Sequence, residues 1–310
     1  MDPERPRKCQ LSNMTTGSSR RELLGKAIAL GGVAAAIGPA LVGEAFAGKK
    51  EYRTRRKKLT PSNVYDLRGR VGPNSTNYIS SVKDQGNCNS CTAFAVIAAL
   101  EGSYSFQKNQ PVTSNFEPAF SESQLFFCNV PKGCDVTAWF PEDALNACLR
   151  TGVTDRANNP YDPMNPSGAC KVPGGDWNWT GLLKTVQLKD GNEIKKWITG
   201  NHPQGPGGPV IAVMVEYKDL RDFNGDESVT YWPANDPVNN PWIGAHVLCI
   251  VGFDDRNASD PFWICKNSWG SGGPNHWNPI GDGYFRVKQE KPNQRMTYID
   301  SFDMWGVVLA

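Results

Sequence analysis

Histidine is nearly absent from this chain. Three histidines occur among 310 residues, so chemistry that needs an imidazole has three positions to draw on. Charge imbalance is also small. A formal net charge of +2 supplies no basic field of the kind that binds a phosphate backbone, and nucleic acid is not expected as a partner. Internal repeats and low-complexity tracts are missing, so a repeat architecture is not expected either. The N-terminal apolar stretch, residues 27–42, is crowded with Gly and Ala and interrupted by Pro39, which makes it a poor membrane anchor. What remains is 39% hydrophobic and 10% aromatic, the composition of a globular chain long enough to bury a sizeable core.

That N-terminal stretch reads better as an export signal. Ser19-Arg20-Arg21-Glu22-Leu23-Leu24 precedes it and Ala45-Phe46-Ala47 follows. Paired arginines, a soft apolar run and a small-x-small cleavage pattern predict a twin-arginine type signal over residues 1–47, which carries folded bacterial proteins outward. The protein is therefore expected in the periplasm or outside the cell, with no stable membrane insertion once the signal is gone. Residues 48–60 hold seven basic residues against one acidic. Such a run predicts a solvated, disordered arm able to make weak contact with anionic envelope polymers.

The most informative string is Gln85-Gly86-Asn87-Cys88-Asn89-Ser90-Cys91-Thr92-Ala93-Phe94. It reads as a loop that delivers one thiol to the start of an apolar helix, where backbone N–H groups and the positive end of the macrodipole favour a thiolate. Cys91 is thus the candidate nucleophile. Gln85, on the same loop, is placed to aim its amide at an oxyanion forming near the sulfur.

A nucleophile needs a base. His202 and His276 fall in loops rich in Gly and Pro, whereas His246 opens the apolar run His246-Val247-Leu248-Cys249-Ile250-Val251-Gly252. A second apolar run, residues 262–267, follows a polar turn, and the two are expected to pair antiparallel. That pairing brings His246 beside Asn267, whose carboxamide can orient the imidazole while Trp269 shields the bond from water.

Taken together these motifs resemble those of the papain family of cysteine peptidases. Gln85 through Cys91 resembles the family's nucleophile loop, Phe120 through Cys128 its second helix, and Gly133-Cys134 the cysteine that closes on the loop. His246 through Phe253 resembles the histidine strand, and Lys266-Asn267-Ser268-Trp269-Gly270 with residues 283–287 the asparagine strand and its sequel. The resemblance runs from about residue 66 to about 287. Cys91 and His246 lie somewhat farther apart than the roughly 130–150 residues usual between the family's partners, which fits extra loop between 218 and 242.

The resemblance implies an α+β fold for residues 61–310, with a helical half over about 83–176, an antiparallel, barrel-like β half over about 177–295, and a cleft between them. It implies peptide hydrolysis through a Cys91 thioester, with His246 as general acid and base, Asn267 orienting it and Gln85 at the oxyanion. Substrate is expected to meet Thr92, Asp135, Val136, Ala245 and Trp269. Disulfides Cys88–Cys134 and Cys128–Cys170 are implied, with no metal, no cofactor, a polypeptide substrate and a monomeric enzyme. A folded inhibitory prodomain, usual in the family, has no room in residues 48–60.

Departures from the family pattern are also legible. Thr92 stands where an aromatic residue is usual, predicting an opening in the cleft wall, and Asp135-Val136-Thr137 replace an Asn-Gly-Gly rim. Cys148, Cys249 and Cys265 are left over. Strand alternation puts Cys249 and Cys265 on opposite faces, so buried free thiols are expected rather than a bridge. Three alternatives compete: a catalytically inactive papain fold that only binds, a thiol-disulfide site at Cys88/Cys91, and zinc held with Cys128 and Cys134.

Helices are expected to start near Cys91, at Ser121, at Pro141 with a stop at Gly152, and over 192–199. Strands are expected over 209–217, 245–253, 261–268 and 283–288.

Overall fold

The apolar run after Cys91 forms α1 (Cys91–Gln107), which is buried on nearly every side. A helix with no polar stripe can be stable only in the middle of a core. Here α1 lies against β strands on one side and two shorter helices on the other. The first of these, α2 (Glu122–Phe127), is capped by Ser121, whose hydroxyl accepts from the Gln124 N–H at 3.0 Å. The second, α3 (Pro141–Thr151), starts on a proline, carries Glu142 and Asp143 in its first turn and Arg150 in its last, and stops at Gly152 with φ of 68°. Each feature satisfies a helix end or its dipole. A fourth helix, α4 (Gly191–Ile198), is capped by Asp190.

The computed structural model describes residues 62–164, 181–223, 227–271, 281–291 and 293–310. The expected signal and arm, residues 1–60, lie outside the described residues, as do Cys170 and His276.

Among the described residues eight strands form one sheet: β1 (Val64–Asp66), β2 (Leu182–Leu188), β3 (Val210–Tyr217), β4 (Thr230–Tyr231), β5 (Trp242–Asp254), β6 (Phe262–Lys266), β7 (Tyr284–Lys288) and β8 (Met304–Leu309). Their order is β2-β8-β3-β5-β6-β7-β4, with β1 also on β5. The long strand β5 organises the rest, pairing β3 with its first part and β1 with its last. Beside it, β3 is buried along its whole length.

The α+β class holds, but two expectations about the β half need correction. It is an open sheet rather than a barrel, because β2 and β4 end the strand order without meeting and β4 adds a two-residue parallel ladder on β7. Nor is it one segment of chain. β1 enters from before the helical half, pairing with the last residues of β5 beyond the reach of β3, and β8 enters from beyond residue 295 to pair with β3 and β2.

The two halves are joined by buried charges. The Lys83 ammonium meets Glu101 of α1 at 2.6 Å and Glu122 of α2 at 2.9 Å. Lys266 of β6 donates to Ser80 Oγ at 2.9 Å, and Ser80 donates to Glu101 Oε2 at 2.6 Å. Charges so far from water persist only when paired in this way.

Candidate active site

The loop before α1 is zipped to the chain that follows β6. Gln85 N–H donates to the Ser268 carbonyl at 2.8 Å, Gly270 N–H donates to the Lys83 carbonyl at 3.2 Å, and Asp84 and Trp269 form a bridge. Side chains repeat the contact: Ser268 Oγ donates to Gln85 Oε1 at 2.6 Å, and Gln85 Nε2 donates to the Cys88 carbonyl at 2.7 Å. One amide hydrogen of Gln85 is thereby anchored, which orients the second. Tyr161 braces the loop from outside, its hydroxyl donating to the Gln85 carbonyl at 3.0 Å and lying 2.8 Å from Ser90 Oγ. The Cys88–Cys134 disulfide ties the loop to a 3₁₀ turn at Gly133–Asp135. Asn89 Nδ2 adds a bond to the Val136 carbonyl at 2.9 Å.

Cys91 opens α1 and faces His246 of β5, with which it shares a side-chain hydrogen bond. The other ring nitrogen, Nε2, donates to Asn267 Oδ1 at 2.8 Å. Trp269 lies over this bond, its ring centroid 4.9 Å from the imidazole. Asn267 is held from two more directions: its Oδ1 accepts from the Ser268 N–H at 2.9 Å, and its own N–H donates to the Gly283 carbonyl at 2.9 Å. Gly283 has φ of +86°, and a Cβ there would sit 2.4 Å from Val82, so only glycine fits beside Asn267.

His246 is fully enclosed. Burial acts against its cationic form more strongly than any other single influence, but contact with Cys91, the nearby Glu216 carboxylate and the Asn267 bond together outweigh it. The result is a pKa raised above the ordinary value for histidine. His202, by contrast, packs on Trp197 and accepts the Gln204 N–H at 3.2 Å; burial lowers its pKa.

The expected substrate contacts divide. Ala245 and Trp269 are half-buried beside His246, Val136 is half-buried and Asp135 exposed. Thr92 is 2% exposed, with its hydroxyl donating to the Trp139 carbonyl at 2.6 Å. The expected opening is therefore absent: backbone at Trp139 covers the small side chain, and the Trp139 ring packs on Phe126 at 5.8 Å.

The remaining cysteines are accounted for. Cys128 is disulfide-bonded, and the expected partner Cys170 lies outside the described residues. Cys148, Cys249 and Cys265 are buried free thiols. Cys249 stands opposite Lys266 and Cys265 opposite Ile250, which places the two sulfurs on opposite faces, and burial pushes Cys249 up to about 12. A redox pair at Cys88/Cys91 is contradicted by the bond of Cys88 to Cys134. Among the described residues no group of three or more His, Cys, Asp or Glu is placed to hold a metal ion.

Residues that sequence reasoning missed are Tyr161, Ser268, Glu216 and the charges behind the site. Glu101 inside an apolar helix and Lys266 inside an apolar strand were the available signal, since each breaks the pattern around it.

A family model described as papain family cysteine protease matches residues 63–302. A viral cathepsin of Cydia pomonella granulosis virus (isolate Mexico/1963) is 29% identical over 69% of this chain and 55% of its own length. A cathepsin L-like proteinase of Fasciola hepatica is 29% identical over 79% of this chain and 70% of its own, and ananain of Ananas comosus 27% over 74% and 56%. The chain thus spans little more than half the length of two of these relatives. Among solved structures, procathepsin L2 proteinase from Tenebrio molitor larval midgut aligns with a TM-score of 0.58 at 22% identity, covering 81% of this chain and 69% of that one. The bromelain protease of Ananas comosus, solved with the E64 inhibitor, aligns at 0.57 and 21%, covering 81% and 100%.

Proposed function

The chain belongs to the papain family of cysteine proteases, and on that premise we propose that it hydrolyses peptide bonds through a thioester on Cys91. The observation that carries this reading is the continuous contact Cys91–His246–Asn267 under Trp269.

The raised pKa of His246 favours an imidazolium facing a Cys91 thiolate. The thiolate attacks the scissile carbonyl carbon, and the oxyanion is held by the second hydrogen of Gln85 Nε2 and the Cys91 N–H at the start of α1. His246 then gives its proton to the leaving amine as the C–N bond breaks. Water attacks the thioester with His246 as base, releasing the acid and restoring the thiol. Asn267 reacts with nothing; it fixes the ring through Nε2 so that Nδ1 points at the sulfur.

Substrate runs past Ala245, Trp269 and the rim at Asp135 and Val136. Thr92 supports the wall from inside. The enzyme acts as a monomer, exported from a bacterial cell by the signal in residues 1–47, and the basic run at 48–60 rests weakly on anionic envelope polymers. These statements are supported by the sequence patterns alone. No helix among the described residues is long and apolar enough to cross a membrane.

An epoxide inhibitor of the E64 class tests the chemistry. It is expected to attach to Cys91 in the wild-type protein under reducing conditions, with peptide hydrolysis lost in parallel. Absence of both label and hydrolysis in folded protein contradicts the proposal and leaves a binding module; label that persists in Cys91→Ala assigns the nucleophile elsewhere.

A further inference from the structure

Glu216 is a buried carboxylate with no part in the scheme above. It lies on β3, 1% exposed, in the strand that pairs with the histidine strand. The register sets Met214 opposite His246 and Glu216 opposite Gly244, so Glu216 shares the face of His246 and is its diagonal neighbour, a separation of about 7–8 Å between backbone positions that long side chains narrow. A carboxylate this enclosed is costly unless something charged holds it. Arg221, in the 3₁₀ turn that follows β3, does so: its Nε donates to Glu216 Oε1 at 2.7 Å. The same guanidinium lies 6.0 Å from the Trp269 ring, the ring that covers the His246–Asn267 bond. Glu216, Arg221 and Trp269 thus form a second layer around the imidazole, reaching it from β3 while Cys91 reaches it from α1 and Asn267 from the end of β6.

We propose that Glu216 is a positioning residue for the reaction: its carboxylate, fixed by Arg221, stabilises the His246 imidazolium from the neighbouring strand β3 and so preserves the thiolate–imidazolium pair toward alkaline pH. The proposal rests on His246 being the acid and base of the hydrolysis. The charged and titratable groups around the pair are few. His246 faces Cys91 and Glu216, with Asn267 and Trp269 uncharged. Glu216 faces Arg221 and His246, and its field reaches Tyr231, whose hydroxyl donates to Asp219 at 2.7 Å. Removing the Glu216 charge leaves Arg221 as an unbalanced cation near the imidazolium, so the sign of the effect is set: His246 must lose its proton at lower pH.

The test is the pH profile of kcat/KM for peptide hydrolysis, together with the pH profile of E64 attachment, in wild type, Glu216→Gln and the double variant Glu216→Gln/Arg221→Met. The alkaline limb of both profiles is expected to move down by about one pH unit in Glu216→Gln, as a charge removed at this range through an effective dielectric near 20 implies. It should move by less in the double variant, which also removes the opposing cation. Equal loss at every pH with the limb unmoved makes Glu216 merely structural and overturns the proposal. If Glu216→Gln fails to fold, the double variant carries the reading; failure of both assigns the pair to stability and overturns it as well. A wild type that neither hydrolyses peptide nor takes the label contradicts the proposed function instead, so the two failures are distinct.

Discussion

Gln85 shows how much a single side chain can be asked to do. Its Oε1 accepts from Ser268 and one Nε2 hydrogen is anchored on Cys88, so the remaining hydrogen points in a direction set before substrate arrives. Preorganised donors of this kind act at the transition state rather than in the ground state. Gln85→Ala is therefore expected to lower kcat by about 10²- to 10³-fold with little change in KM. A rise in KM at unchanged kcat contradicts the assignment. Gln85, Cys91, His246 and Asn267 were legible as candidates because each residue type is tied to its chemistry. Thr92 was misread because the sequence shows a small side chain but not the backbone that Trp139 lays over it.

At the scale of elements, the nucleophile loop is held at several points, and the Cys88–Cys134 bridge closes a span of 46 residues of sequence. Its loss releases that loop in the unfolded chain. Replacing both cysteines by serine is expected to cost about 4 kcal/mol of unfolding free energy on the chain-entropy account, read as a lower urea midpoint with a steeper slope, because the released loop lets the unfolded chain expand. Hydrolysis by the folded fraction should fall too, because Gln85 hangs on the Cys88 carbonyl. Unchanged stability would mean that the bonds of Asn89 and Tyr161 suffice to hold the loop. The helices were legible from their caps, Ser121, Pro141 and Gly152 among them. The strands β1, β2, β4 and β8 were not, because β1 and β4 have three and two residues and the pairing of β2 with β8 joins segments far apart in sequence.

For the whole molecule, the charges between the halves set a dependence on pH. Lys266 lies directly before Asn267, and burial outweighs the Glu101 carboxylate to pull its ammonium down to about 8 from an ordinary 10.5. The unfolded chain then binds more protons than the native one between these values, so stability rises with pH through this window. The difference in unfolding free energy between wild type and Lys266→Met is expected to rise in favour of wild type by about 2 kcal/mol from pH 7.5 to pH 10. A flat difference in urea melts across that range would show that Lys266 keeps its proton throughout. Hydrolysis carries its own dependence on pH through His246, whose pKa is raised, so the two measurements must be made separately.

What the sequence by itself determined is the local chemistry: a thiol at a helix start, an imidazole opening one strand, a carboxamide ending the next, and the alternation that keeps Cys249 and Cys265 apart. These follow from contacts near in sequence and from the two-residue and 3.6-residue periods of the backbone. What only the tertiary structure decided is everything that depends on which distant segments meet. The open sheet, the cover over Thr92, the Lys83–Glu101–Glu122 cluster and the placement of Glu216 diagonal to His246 all arise from long-range pairing. Strand register and buried charge partners carry no local signature, since a pleated strand offers the same hydrogen bonds to any neighbour and the packing of the core selects among them.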